Sequence, residues 1–252
     1  MNTQLFPRLT DVLVAADAVY KRHQSTVGGV QAVHDVSLQV RAGEMVALVG
    51  PTGSGKTTLL ELLAGLEQAD EGSITLMGRD LAQLSADGMT DLRSQAVGFI
   101  YQTYNLFPGF TVRENVGLPL RLMMRPPFDA HQRSAQLLDE LGLAQLAERY
   151  PQELSGGQQQ LVAIARALAA NPPLILADEP TANLDTAAAR PIVARLRALA
   201  DSGDHGVLIA THDLRTASQA DRVLNLRDGR IVQETVLDAG RTTRDVLAEL
   251  AG

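Results

Sequence analysis

Gly50-Pro51-Thr52-Gly53-Ser54-Gly55-Lys56-Thr57, followed by Thr58, is the stretch whose reading decides the fold. It fits the pattern G-x-x-x-x-G-K-[ST], in which glycines let the backbone fold closely around phosphate oxygens. Its flanks supply the context that the chemistry needs. Met45–Val49 predicts a buried strand, and Gly55–Gly65 predicts a helix with Leu59, Leu62, Leu63 and Leu66 on one face. In a strand–loop–helix setting, successive N–H groups converge on an anion and the helix start adds its positive dipole end. Lys56 is expected to reach the β- and γ-phosphates of a nucleoside triphosphate, and the Thr57 hydroxyl to ligate Mg²⁺.

Outward from this loop, strand-like and helical patterns alternate. Val36–Val40 predicts a strand before Met45–Val49, with Ala42-Gly43 as the turn, and Val12–Tyr20 is apolar but for Asp17. Ser73–Met77 and Val97–Tyr101 predict short strands, the second leading into a loop with Gln102. From Val112 to Ala147 the pattern is mainly helical, broken at Pro126-Pro127, with an apolar stripe at Leu137, Leu138 and Leu141. A helix from Gly156 towards Ala170 follows. Then come a strand (Leu174–Asp178), a helix (Ala187–Ala200), a strand (Val207–Ala210), a short helix and a hairpin. The hairpin joins Val223–Leu226 to Ile231–Gln233 through Asp228-Gly229. The fold class is therefore α/β: a phosphate-loop core with a mainly parallel sheet, an antiparallel edge and an inserted helical subdomain at about residues 104–170. The whole of residues 1–252 reads as one domain.

Composition narrows the function further. Lys plus Arg number 22 against 29 for Asp plus Glu, a formal charge of -7, so nucleic acid is not expected as a partner. There is no cysteine, which excludes disulfides, thiolate metal sites and cysteine nucleophiles. No apolar run reaches the roughly 18–20 residues of a membrane helix. The chain is expected in the cytoplasm, held at a membrane only through something else.

Leu174–Ala177 ends in Asp178-Glu179. A carboxylate at the C-terminal end of a parallel strand sits at the mouth where such sheets bind ligands. Asp178 suits Mg²⁺, directly or through water, and Glu179 suits a general base or water positioner. Together with the phosphate loop, they indicate hydrolysis of a nucleoside triphosphate.

Leu154-Ser155-Gly156-Gly157-Gln158 precedes a helix and resembles the signature motif of ATP-binding cassette ATPases. With Gln102, Asp178-Glu179, Asn183-Leu184-Asp185 and His212 in the same order, the resemblance covers nearly the whole chain. Ser155 and the Gly156 and Gly157 amides cap a helix start, a second anion site like the first. The resemblance implies a head-to-tail homodimer, or a pseudo-symmetric dimer, in which each ATP lies between one phosphate loop and the other chain's signature. It also implies that Tyr20 stacks on adenine and that Gln102 senses Mg²⁺ and the lytic water. His212 would contact the γ-phosphate, and Asp185 would link the two sites. One departure is Leu161, where an arginine is usual after the glutamines; it shares an apolar stripe with Ile164 and Leu168.

Such a chain is expected to power an integral membrane permease docked near Gln102 and the helical subdomain, and so to sit on the inner face of the cell membrane. Phe99–Gln102, Asn105–Pro108, Thr111–Val116 and Ala177–Asp185 resemble the lipoprotein-release and macrolide-export branch. The alternatives are an importer ATPase, or a non-transport ATPase of the same family with a soluble or cell-division partner.

Overall fold

The computed structural model describes residues 11–23 and 29–237. Among the described residues ten strands are formed: β1 (Val12–His23), β2 (Val30–Arg41), β3 (Met45–Val49), β4 (Glu71–Leu76), β5 (Arg79–Asp80), β6 (Val97–Ile100), β7 (Leu174–Asp178), β8 (Gly206–Thr211), β9 (Arg222–Arg227) and β10 (Arg230–Val236). The helices are α1 (Lys56–Leu63), α2 (Ala86–Ala96), α3 (Val112–Leu122), α4 (Ala130–Glu140), α5 (Gly156–Ala167), α6 (Thr186–Asp201) and α7 (Leu214–Ala217).

The strands form two sheets. The larger has the order β10-β9-β3-β8-β7-β6 and is parallel except for β10, which pairs antiparallel with β9. Its central strands are buried on both faces, and their side chains divide by the two-residue period of a strand. Met45, Ala47, Val49, Ile175, Ala177, Val207 and Ile209 face one apolar cluster with side chains of α3 to α6. Val46, Leu48, Leu174, Leu176, Leu208 and Ala210 face a second cluster, shared with α1 and the smaller sheet. In α1, Leu59, Leu60, Leu62 and Leu63 are all fully buried, each contributing roughly 1.5–3 kcal/mol from apolar burial.

The smaller sheet, β2-β1-β4-β5, is wholly antiparallel. It exceeds the antiparallel edge expected from sequence, because β1 and β2 are twelve residues each and too weakly alternating to show their full length. The Ala42-Gly43 turn does not close a hairpin with β3. It hands the chain from one sheet to the other, with Gly43 at φ 78°. Other boundaries move slightly. Gly55 caps α1 rather than joining it, and Leu66, expected on the apolar face, lies beyond the helix and is 43% exposed. The polar helix α2 left no stripe long enough to read.

Within the helical segment, α3 packs on α4 and α5. Leu137 and Leu138 are buried, and Leu141 packs beside them. The apolar cluster of these helices is continuous with that of the large sheet, so no separate core divides them.

Candidate functional site

Parallel strands deliver their C-terminal ends to one side of a sheet. Here the register levels four of those ends: Val49 pairs with Thr211, Asp178 with Ala210 and Ile100 with Ala177. The residues just beyond are the phosphate loop, Gln102, Glu179 and His212. The fold thus gathers residues up to 162 positions apart, Gly50 to His212.

The loop is shaped by walls that exclude side chains. A Cβ on Gly55, which sits at φ 103°, would collide with the Ala32 carbonyl of β2. A Cβ on Gly50 would collide with the Leu226 carbonyl of β9. From behind, Gly229 donates its N–H to the Ser54 carbonyl at 3.0 Å, and its own carbonyl accepts from the His34 N–H at 2.8 Å. Gly229 follows Asp228 in the predicted hairpin turn, and both residues have positive φ.

Inside these walls Lys56 is buried, donating to the Gly50 and Pro51 carbonyls at 2.9 and 3.2 Å. Its Nζ lies 3.6 Å from Glu179 Oε1. The Thr57 hydroxyl donates to Asp178 Oδ2 at 2.9 Å. Asp178 Oδ1 and Ser54 Oγ are buried without any hydrogen-bond partner. A buried polar atom left so costs about 1–3 kcal/mol. Burial pushes the Asp178 carboxyl above its ordinary range; the Thr57 bond opposes this, the Glu179 charge adds to it and Lys56 opposes it again. The donor set fits a hard cation: a hydroxyl and an orphaned carboxylate oxygen beside a phosphate cradle suit Mg²⁺.

Glu179 holds a left-handed backbone (φ 45°), unusual for a residue with a side chain, and its N–H donates to the Ala210 carbonyl. Both carboxylate oxygens lie 3.0 Å from His212 Nδ1. The Glu179 side chain is 11% exposed and that of His212 65%, so the acid is inside and the imidazole at the mouth.

The signature residues lie elsewhere. Ser155 caps α5: its Oγ accepts from the Gln158 N–H at 3.3 Å, and Gln158 Oε1 accepts from the Ser155 N–H at 2.9 Å. This capping box leaves the Gly156 and Gly157 amides pointing off the helix start. The groups lying nearest their Cβ directions belong to Tyr104, Asn183, Leu184 and Ala188, with no residue of the phosphate loop among them. Asp185 caps α6, its Oδ1 accepting from the Ala188 N–H at 2.9 Å. Gln102 is exposed, and its carbonyl accepts from Asn183 Nδ2 at 2.9 Å. Tyr20 is half-buried, its ring 5.2 Å from that of His34. Its neighbour Lys21 pairs with Val33, the residue after the Ala32 that walls Gly55, so Tyr20 stands one strand from the loop.

Several contributors carried no sequence signal. His23 Nε2 lies 3.3 Å from the Thr58 hydroxyl and Nδ1 3.6 Å from Glu67. Ala32 and Gly229 support the loop through backbone alone. Leu161 packs, half-buried, against the apolar cluster that contains Ile164 and Leu168, consistent with the stripe read from sequence.

A second feature adjoins Gln102. A cavity of about 420 Å³ opens between Thr103–Leu106, Pro108, Pro151 and Gln159. Beside it the rings of Phe107 and Phe110, 49% and 37% exposed, lie 5.5 Å apart. Fully buried Asn115 fixes this turn, donating to the Phe107, Phe110 and Thr111 carbonyls and accepting from the Phe107 N–H.

Residues 33–182 match the family described as ABC transporter. The chain is 45% identical over 209 residues to the macrolide export ATP-binding/permease protein MacB of Nitrosomonas europaea, covering 83% of this chain and 32% of that protein. It therefore spans about a third of that curated relative's length. Among solved structures, the ATP-binding cassette MJ0796, as a post-hydrolysis dimer bound to ADP and Pi, is 36% identical with a TM-score of 0.84 over 90% of this chain and 99% of that one. The chain cbiO1 of the Clostridium perfringens complex cbiONQ is 25% identical with a TM-score of 0.80, over 96% and 92%.

Proposed function

The chain belongs to the ABC transporter family, and from that premise we propose that it hydrolyses ATP between two copies of itself to drive a membrane permease. The observation that carries this reading is the separation of two anion-binding helix starts. The start of α1 is cradled, with buried Lys56 and Asp178 beside it and the Thr57 hydroxyl bonded to Asp178. The start of α5 is capped within the chain, and the groups lying against its glycines come from Tyr104, Asn183, Leu184 and Ala188 rather than from the phosphate loop. A two-fold dimer satisfies both at once. MJ0796, dimeric and bound to ADP and Pi, supports the arrangement.

In the proposed site the phosphates displace the loop carbonyls from Lys56, and the Gly53 to Thr58 amides and hydroxyls take the remaining oxygens. Thr57 and Asp178, with Gln102, would hold Mg²⁺, which would supply positive charge to offset that of the phosphates. Glu179 accepts a proton from the water that attacks the γ-phosphorus while the bond to the bridging oxygen breaks and ADP leaves. His212 holds the Glu179 carboxylate in place and meets the γ-phosphate from the mouth. Ser155, Gly156, Gly157 and Gln158 of the second chain close over it, Asp185 lies at the seam between the two sites, and Tyr20 stacks on adenine. ATP binding favours the closed dimer because only that state has both grips.

The permease meets the face beside Gln102, where the cavity, the Phe107–Phe110 pair and the helical segment around residues 104–170 combine. The likeness to the macrolide export protein MacB supports export, with lipoproteins, peptides or drugs as the cargo classes of this reading. Among the described residues no helix is long and apolar enough to cross a membrane. In the proposed complex the permease holds the chain at the cytoplasmic face.

Hydrolysis by the purified chain tests the reading. ATP turnover should require Mg²⁺, stop with chelator, and rise per chain as protein concentration increases, because the site needs two chains. Turnover per chain that is constant on dilution far below the dimer range would overturn the shared site.

A further inference from the structure

His23 closes β1 and faces α1 with both of its ring nitrogens. Nε2 lies 3.3 Å from the Thr58 hydroxyl, in the first turn of α1. Nδ1 lies 3.6 Å from Glu67 Oε1, just beyond the other end of that helix. The His23 side chain is 45% exposed, so the ring can exchange a proton with solvent. Histidine is the side chain whose charge ordinarily changes between pH 5 and 8.

The charged groups about the ring are mostly acidic. Glu67 Oε1 is shared with Lys21, whose Nζ stands 3.2 Å from it and 3.5 Å from Asp70. Asp70 also accepts from the Arg22 N–H at 2.7 Å, while the Arg22 guanidinium turns to Gln31. Glu61 follows Thr58 by one turn of α1. Burial raises its carboxyl above the ordinary range, the Glu67 and Asp178 charges add to this, and His23 opposes it. Glu61, Glu67 and Asp70 thus surround His23, with Lys21 as the cation nearest them.

The protons on this ring decide what Thr58 can do. A carboxylate facing Nδ1 keeps the neutral ring's proton on that nitrogen. Nε2 then has only a lone pair, so the Thr58 hydroxyl donates to it. A phosphate oxygen is likewise an acceptor and needs that same hydrogen, so the neutral ring competes with a phosphate for it. A second proton, on Nε2, reverses the bond. The ring then donates to Thr58 Oγ1, and the hydroxyl hydrogen is free to turn to a phosphate.

We propose that His23 is a positioning residue for Thr58, turning its hydroxyl towards the nucleotide's phosphates when the ring takes up a proton. This deepens the function proposed above and rests on its placing of phosphate oxygens at Thr58. Binding and protonation then reinforce one another: acid tightens the nucleotide, and bound nucleotide draws a proton onto the ring.

Calorimetric titration with ADP and saturating Mg²⁺, at pH 8 and pH 6, reads this without turnover. Wild type and His23→Leu should agree within about twofold at pH 8. At pH 6 wild type should bind about fivefold more tightly than the variant, the worth of one hydrogen bond. Heats taken in buffers of different ionisation enthalpy should show proton uptake by wild type beyond that of His23→Leu, the nucleotide's own titration being common to both. Thr58→Val, which keeps the shape and loses the hydroxyl, should lack the extra gain at pH 6. A wild-type pH profile parallel to that of His23→Leu would overturn the proposal. So would a Thr58→Val profile that keeps the wild-type gain, since the imidazole would then act on the nucleotide directly. If Thr58→Val does not fold, Thr58→Ala is read by the same criteria. No binding of ADP by the wild-type chain at either pH would instead overturn the phosphate reading beneath it.

Discussion

The starts of α1 and α5 can both hold an anion, yet they are finished differently. At α1 the loop is enclosed by β2, β9 and the turn at Gly229, Lys56 is buried, and two polar atoms, Ser54 Oγ and Asp178 Oδ1, lack partners. At α5 the cap is closed within the chain: the Ser155 Oγ accepts from the Gln158 N–H, and Gln158 Oε1 accepts from the Ser155 N–H. The first start is built around what it binds and strained without it. The second closes its cap within the chain, and its proposed role comes from a second copy. In the proposed dimer, catalysis belongs to the first region and assembly to the second, and substitutions should divide accordingly.

The largest effect belongs to the first region. Glu179→Gln should cut turnover by about a thousandfold or more while leaving ATP affinity near wild type, and it should elute as an ATP-dependent dimer in gel filtration. Turnover within a few-fold of wild type would remove Glu179 as the base. Lys56→Ala should then weaken the affinity itself by about a hundredfold, measured by nucleotide titration of the monomer, since a buried cation facing phosphates is lost. Ser155→Ala probes the second region: the same titration should be unchanged, while kcat falls about tenfold and the Glu179→Gln dimer forms at higher ATP. A loss of monomer affinity in that variant would erase the distinction between the two starts.

The smallest effects concern stability. The raised pKa of Asp178 means that the folded protein binds its proton more readily than the unfolded chain. Stability from this group is then full below the ordinary carboxylate range and lost as pH rises through the shifted value. Asp178→Asn should therefore raise the melting temperature of nucleotide-free protein near neutral pH, the gain shrinking towards acid, while Mg²⁺-dependent turnover disappears. Gln160, fully buried in α5 with both amide ends unpartnered, offers the contrast. Gln160→Leu should stabilise by about 1 kcal/mol in urea denaturation and spare nucleotide affinity, because this orphan faces no proposed ligand.

These regions also differ in how far the amino-acid sequence discloses them. The phosphate loop, the Asp178-Glu179 pair and the capped start at Ser155 are each carried by a few adjacent residues of demanding chemistry, so their types and spacing show. The central strands show because burial on both faces leaves unbroken apolar runs. β1 and β2 show poorly, being long, irregular and half-exposed, and the second sheet was read as no more than an edge. The Arg166 guanidinium, which donates to the Tyr104 and Asn105 carbonyls, spans more than sixty residues and ends on backbone, which has no sequence identity to read. The same holds for His23 beside Thr58 and for Ala32 behind Gly55. Whatever is made by backbone, or by one side chain meeting a distant loop, stays silent until the chain folds.

A two-residue hairpin tip is ordinarily where a chain tolerates a splice, being exposed and lightly bonded. The tip at Asp228-Gly229 is the reverse, since Gly229 is buried and bonded to both Ser54 and His34. For anyone choosing where to graft an epitope or a fluorophore, this corner is a trap: lengthening it by a few residues would leave expression and sheet intact and silence the nucleotide site. The segment between α3 and α4, where Met124 is 97% exposed, is the safer address.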